Sequence, residues 1–200
     1  MSEKVSIGIL AVQGAFAEHQ AMLDGLGADT FLIRQKKDLE EAVQNGRLQG
    51  IVLPGGESTV QGKLLRDLGM SDQLKELIEA GTPVLATCAG LILLAERVSN
   101  DDRAYLKTLP VSVKRNAYGR QLGSFVTDAE IAHIGIYRMN FIRAPYIDEI
   151  LDPQVETLAI VDGNTVAVRY KNQLALSFHP EVSEDARVHA YFLNEIVQGV

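Results

Sequence analysis

The chain has one cysteine, Cys88, among 200 residues. An internal disulfide is excluded, and with it the stapled frameworks of small secreted domains. It also lacks any block of lysine or arginine: acidic residues outnumber basic ones by 26 to 19, for a formal charge of −7. Such a surface makes nucleic acid a poor partner. Long apolar runs are missing as well, since charge or glycine interrupts each one well before the ~18 residues that a membrane span requires. The opening "MSEKVSIGIL" has no extended apolar core or small-residue cleavage site, so it does not read as a signal peptide. Together these absences imply a protein of the reducing cytoplasm with no nucleic-acid or membrane partner. No repeat, linker or low-complexity segment divides the chain, and residues 1–200 read as a single domain.

What is present is alternation. "VSIGILAV" at 5–12 is a continuous apolar run rich in β-branched residues, the pattern of a strand covered on both faces in a parallel sheet. From Phe16 the period changes: Met22, Leu23 and Leu26 fall at helical spacing, and Gly27 stands where a helix stops. "DTFLIR" then reads as a strand, "DLEEAVQ" as a short helix, "GIVLPGG" as a strand with a glycine turn, and "SDQLKELIEAG" as a capped helix. This is the α/β signal. After about residue 105, "VSVKRNAYG", "GIYRMNFIRAP", "TLAIVDG", "TVAVRY" and "LALSFHP" predict shorter strands in antiparallel or mixed arrangement. Ser183 to Val197 predicts a helix with a serine cap and an apolar stripe of Val188, Phe192 and Ile196.

Cys88 lies between "PVLAT", a buried-strand string, and "AGLILLAERV", a helical one. It therefore sits on a strand-to-helix turn, where open α/β sheets bind ligands and where a nucleophile stands in the field of the first free helix N–H groups. Gly90 permits the close approach that such a turn requires. The same string also describes an inert packed corner, and the choice depends on a base. Of the four histidines, only His179 has an informative setting, at the end of an apolar strand in "LALSFHPEV". Glu181, two residues on in extended chain, shares its face and can orient the ring while the other nitrogen meets the thiol. His19 and His189 read as half-exposed helix residues and His133 as part of an unpatterned stretch. No ligand spacing links them to the cysteine, so no metal is expected. In "LPGGEST" at 53–59, the glycines can present N–H groups at the sheet edge and Ser58 can cap the next helix, but the lysine of a phosphate-binding loop is missing.

"PGGEST", "TCAG", "RNAYGRQ", "FIRAP" and "SFHPE", in this order, closely resemble the glutaminase subunits of pyridoxal 5′-phosphate synthase, a family of class I (triad-type) glutamine amidotransferases. The resemblance covers nearly the whole chain. It implies a three-layer α/β sandwich with a central, mostly parallel sheet flanked by helices and some antiparallel strands in the C-terminal half. It also implies hydrolysis of L-glutamine to L-glutamate and ammonia, which passes to a partner synthase subunit in a hetero-oligomer that builds pyridoxal phosphate. By motif matching, Cys88, His179 and Glu181 are the triad, and Gly56, Glu57, Ser58, Arg115, Ile142 and Arg143 fall on glutamine-binding positions. No cofactor is implied. Two guanidinium groups suit the carboxylate of a free amino acid. The expected oxyanion donors are the N–H of Ala89 and one from the Gly55–Gly56 turn; Gln13, at the end of the first strand, either relays partner contact to that turn or is an ordinary polar loop residue. One departure is Ala86, where class I enzymes usually carry glycine two residues before the nucleophile. A cysteine hydrolase of different substrate would not need both arginines, and a non-catalytic binding module would not need Glu181 after His179.

Overall fold

The computed structural model describes residues 4–117 and 123–199. Tyr118, Gly119, Arg120 and Gln121 of the "RNAYGRQ" string lie outside them. Strands β1 (Ser6–Leu10), β2 (Asp29–Ile33), β3 (Gly50–Leu53) and β4 (Val84–Thr87) alternate with helices α1 (Phe16–Gly25), α2 (Lys36–Gln44), α3 (Ser58–Asp67) and α4 (Ser71–Glu79). Helix α5 (Ala89–Leu94) follows β4 directly. The C-terminal half adds β5 (Ala95–Val98), β6 (Leu109–Lys114), β7 (Ser124–Ile131), β8 (Gly135–Ile142), β9 (Tyr146–Ile150), β10 (Glu156–Val161), β11 (Asn164–Tyr170) and β12 (Gln173–Leu176). A 3-10 turn (Pro180–Val182) leads to α6 (Arg187–Tyr191), which runs on as a π-helical stretch over Phe192–Val197.

The main sheet has the order β2-β1-β3-β4-β12-β11-β9-β6-β5, with β10 paired to β11, while β7 and β8 form a separate hairpin. Pairings from β2 through β12 are parallel; β11 turns the sheet antiparallel toward β9, β10 and β6. This is the layered α/β architecture expected. Its physical basis is visible in single strands. On β3, Ile51 and Leu53 pack into one apolar cluster and Val52 into the other, and Leu85 of β4 points opposite to Val84 and Ala86. A strand buried on both faces must be apolar at every position, which is why these strands read as unbroken runs. Leu39, Leu65, Leu74 and Leu91 of α2 to α5 cover one face, and Leu23 of α1 with Val188, Phe192 and Ile196 cover the other.

Several local expectations give way. "AGLILLAERV" is helical only to Leu94; Ala95 turns extended and Ala95–Val98 pairs in parallel with β6, because a free sheet edge there takes the chain. Leu26 is exposed, as α1 ends at Gly25 and its buried line is His19 and Leu23. The final helix starts only at Arg187 without a serine cap, since the Ser183 hydroxyl instead accepts the Asp185 N–H at 3.0 Å. Helix α4 likewise has no side-chain cap. Strands β7 and β9 were not legible in the composition of their segments. Among the described residues, no helix is long and apolar enough to cross a membrane.

Candidate active site

Four adjacent parallel strands, β1, β3, β4 and β12, end on the same edge of the sheet. The loops beyond them carry Gln13, Gly55 to Ser58, Cys88, and His179 with Glu181. Strand order thus gathers residues separated by up to 168 positions, the usual way an open α/β sheet makes a site.

Cys88 is the N-cap of α5, with φ 48° and ψ −98°. A side chain other than glycine is strained there by about 1–3 kcal/mol. The turn is held by the Cys88 N–H bond to the Leu176 carbonyl at 2.8 Å. A Cβ on Gly90 would run into the Leu53 carbonyl oxygen, so only glycine lets α5 lie this close to β3. Ala86 is fully buried on β4, opposite Leu53 and Ala175, where a methyl group fits the sheet. The Cys88 sulfur lies 4.0 Å from the Ile142 carbonyl, at the far limit for a thiol hydrogen bond.

His179 is buried, and its Nδ1 is 2.7 Å from Glu181 Oε1. The pairing is not made as the sequence suggested. Strand β12 ends at Leu176, and it is the 3-10 turn at Pro180–Val182, rather than an extended chain, that folds the carboxylate back onto the ring. Bonding at Nδ1 leaves Nε2, buried and without a closed hydrogen bond among the described residues, for the Cys88 sulfur. Burial pulls the pKa of the ring down, but the nearby Cys88 sulfur and the hydrogen-bonded Glu181 carboxylate outweigh it and raise the value to about 10. An imidazolium is therefore the favoured state beside this sulfur and this carboxylate.

The glycine turn is fixed from three sides. The Gly55 N–H donates to Thr87 Oγ1 at 3.0 Å, the Gly55 carbonyl accepts the Ala15 N–H at 2.9 Å, and the Glu57 N–H donates to Gln13 Oε1 at 2.9 Å. Gly56 N–H has no hydrogen bond among the described residues, and in a trans peptide it points away from Ala15. Of the turn's donors, Gly56 is thus the one left free. Rotating that peptide would cost the Ala15 bond, about 0.5–1.5 kcal/mol. Ser58 does not cap α3: Glu57 is the N-cap, its carboxylate accepting the Thr59 N–H, while the Ser58 hydroxyl is buried with no hydrogen-bond partner among the described residues.

A cavity of about 210 Å³ opens over the sulfur, lined by Gln13, Gly56, Glu57, Ser58, Cys88, Ile92, Arg115, Asn116, Ile142, Arg143 and His179. All the expected site residues therefore line one cavity except Glu181, which stands behind His179. The hairpin β7–β8 delivers Ile142 and Arg143, and the His179 N–H bond to the Asn140 carbonyl at 2.8 Å ties β8 to the loop after β12. The two arginines differ. Arg115 is largely buried and already engaged, with Asp101 at 2.7 Å and Glu57 at 3.2 Å. Arg143 is exposed at φ 44°, and its guanidinium has no ion pair among the described residues.

His19 and His189 correct the reading of half-exposed histidines: both are fully buried. Burial lowers the pKa of each, His189 to about 4, and neighbouring His189 and His179 lower that of His19 further. The spacing that could have shown it is His19 to Leu23, four residues apart on the buried face of α1. His133 is exposed, 2.9 Å from Glu156. Thr87, whose hydroxyl meets both His19 and Gly55, was also missed, being read only as the end of a strand.

Known proteins resemble this chain along nearly their whole length. The "Pyridoxal 5'-phosphate synthase subunit PdxT" of Desulfitobacterium hafniense is 56% identical over 193 residues, 96% of this chain and 94% of the relative. That of Methanocorpusculum labreanum is 53% identical, covering 96% and 98%. A crystal structure of a glutamine amidotransferase superposes with a TM-score of 0.87 at 41% identity, over 97% of this chain and 99% of its own. The model of the SNO glutamine amidotransferase family matches residues 9–198, and the chain belongs to that family.

Proposed function

We propose that this chain is the glutaminase of a pyridoxal 5′-phosphate synthase: it hydrolyses L-glutamine to L-glutamate and ammonia and hands the ammonia to a synthase subunit. The observation that carries this reading is the buried line Cys88, His179 and Glu181 beneath a cavity lined by Arg143, whose guanidinium has no ion pair among the described residues. The family and the names of its relatives support the substrate and the partner. The chain acts as one domain, in the cytoplasm.

The chemistry follows from the placement of the groups. Paired with the His179 imidazolium, the Cys88 sulfur attacks the side-chain amide carbon of glutamine as the thiolate. Negative charge gathers on the amide oxygen, where the Ala89 N–H at the first helical position and the Gly56 N–H are the available donors; losing one such donor typically costs ~10²-fold or more. The His179 imidazolium, held by Glu181, gives its proton to the departing ammonia, and the ring then takes a proton from water as that water hydrolyses the thioester. Arg143 pairs with the substrate carboxylate. Arg115 holds Glu57 against the pocket rim, with Ser58, Gly56 and Ile142 completing the wall.

Ammonia release from glutamine, measured for the chain alone and with saturating synthase subunit, tests the reading. Release that rises with the partner, together with labelling at Cys88 by a diazo-ketone analogue of glutamine, supports it. No release under either condition and no labelling at Cys88 would refute it.

A further inference from the structure

Behind the Cys88, His179 and Glu181 line, the structure holds a second layer of buried polar groups that the glutaminase chemistry does not itself use. His19 of α1 places Nε2 3.4 Å from Glu181 Oε2 and 3.1 Å from Thr87 Oγ1. Its Nδ1 lies 2.9 Å from Nε2 of His189, which α6 brings in from the opposite end of the chain. Both imidazoles are fully buried, so each proton has to be accounted for. Glu181 Oε2 has no closed hydrogen bond among the described residues, and neither does His189 Nδ1.

Two tautomeric arrangements are open. If Nδ1 of His19 carried the proton, its bare Nε2 would face the carboxylate oxygen, two buried acceptors 3.4 Å apart. His189 would then have to accept at Nε2 and leave an N–H at Nδ1 buried without a partner. With the proton on His19 Nε2, that hydrogen bonds Thr87 Oγ1 and faces Glu181 Oε2 as a positive dipole at longer range, and His19 Nδ1 accepts the N–H of His189 Nε2. No imidazole N–H is then left without a partner: what remains unpaired is a lone pair on His189 and the hydroxyl hydrogen of Thr87, which turns about its C–O bond, whereas a ring N–H is fixed in direction.

Resting on the glutaminase reading, we infer that His19, set in its tautomer by His189, is a positioning residue that holds its Nε2–H, bonded to Thr87, beside Glu181 Oε2 and so steadies that carboxylate on His179. The same ring touches Thr87, whose hydroxyl accepts the Gly55 N–H, so one side chain braces both the orienting carboxylate and the glycine turn. A neutral donor suits this task. Burial and the neighbouring histidines keep His19 uncharged, so it orients Glu181 without drawing the carboxylate's charge away from the His179 imidazolium. The titratable and charged groups around His179 are Glu181 on its own turn, Cys88 before α5 and His19 from α1. His189 lies behind these, and Glu57, Arg115 and Arg143 stand across the cavity.

The test compares His19→Phe, which removes the donor, with His19→Gln, whose amide nitrogen restores one near the same place, both assayed with the synthase subunit present. Active-site concentration is set by diazo-ketone labelling. For His19→Phe, kcat is expected to fall about tenfold or more with KM within about twofold, since the ring does not touch the substrate cavity. The alkaline limb of the kcat/KM profile should move to lower pH, because a loosened or protonated Glu181 supports the imidazolium less well; His19→Gln should return it most of the way. A limb unmoved in His19→Phe overturns the inference while wild-type glutaminase activity leaves the functional reading standing. Imidazole ¹⁵N spectra of the unaltered protein decide the matter without any substitution: a neutral Nε2–H tautomer at His19 agrees, and an Nδ1–H tautomer or a protonated ring refutes it.

Discussion

Gly55→Ala is a single methyl group aimed at the catalytic base. A Cβ built on Gly55 lies 2.7 Å from His179 Nδ1, with Cε1 of the same ring closer still and Glu181 Oε1 at 3.4 Å. Ordinary contact begins near 3.4 Å. The ring must therefore withdraw by about 0.7 Å or more, or the turn must shift away from it by as much. Withdrawal breaks the alignment of Nε2 with the Cys88 sulfur, and a misplacement of about 1 Å costs on the order of 10²-fold in rate. A shift of the turn instead strains the Gly55 bonds to Thr87 and Ala15 and moves Gly56 N–H, with a similar penalty. Overpacking is expected to lower unfolding stability by only about 1–3 kcal/mol, so the variant should remain folded. Steady-state glutaminase rates with saturating synthase subunit, beside urea denaturation, measure both effects. Gly25→Ala is the control, since its Cβ meets nothing within 4 Å and its φ is ordinary; it should keep full activity. A Gly55→Ala enzyme turning over within threefold of wild type would refute the steric reasoning.

Other outcomes follow from the same geometry. Cys88→Ala and Cys88→Gly should both abolish turnover, and Cys88→Gly should be the more stable by about 1 kcal/mol in urea, because φ 48° is a glycine conformation; equal stability would mean that the turn is unstrained. Arg143→Ala should raise KM for glutamine about ten- to a hundredfold with little change in kcat, whereas Arg115→Ala should also lower stability by about 1 kcal/mol through the loss of its bonds to Asp101 and Glu57. Identical behaviour of the two variants would refute the distinction between a free and an engaged guanidinium. Stability should fall as pH drops below 6.5, since the unfolded chain binds protons that the buried rings of His19 and His189 refuse, and the His189 part of the loss runs down to about pH 4. The contribution of His179 has the opposite sign: it is complete below 6.5 and is lost as pH rises through about 10. Urea midpoints across this range, flatter in His189→Gln on the acid side, check the assignment; no slope between pH 6.5 and 5 would sink it.

The sequence by itself determined the strands buried on both faces, because covering both sides of β1, β3 and β4 demands an apolar residue at every position. It also determined that Cys88 occupies a strand-to-helix turn and that Gly90 is needed beside it, since these are properties of a few adjacent residues. His179 and Glu181 were legible as a pair, although the 3-10 turn that joins them was not, because β12 ends at Leu176, three residues before the histidine. Only the tertiary structure decided that Ala95–Val98 abandons the helix for a sheet edge, as pairing with β6 is a contact across sequence that local propensity does not record. It alone decided that Arg115 is engaged while Arg143 has no ion pair among the described residues, for Asp101 and Glu57 lie 14 and 58 residues from Arg115. The buried histidines are the clearest case. His19 and His189 are 170 positions apart, and their meeting behind Glu181 depends on α1 and α6 covering the same face of the sheet. A helical histidine looks alike in sequence whether it faces water or a carboxylate, and the packing of those two helices settles which.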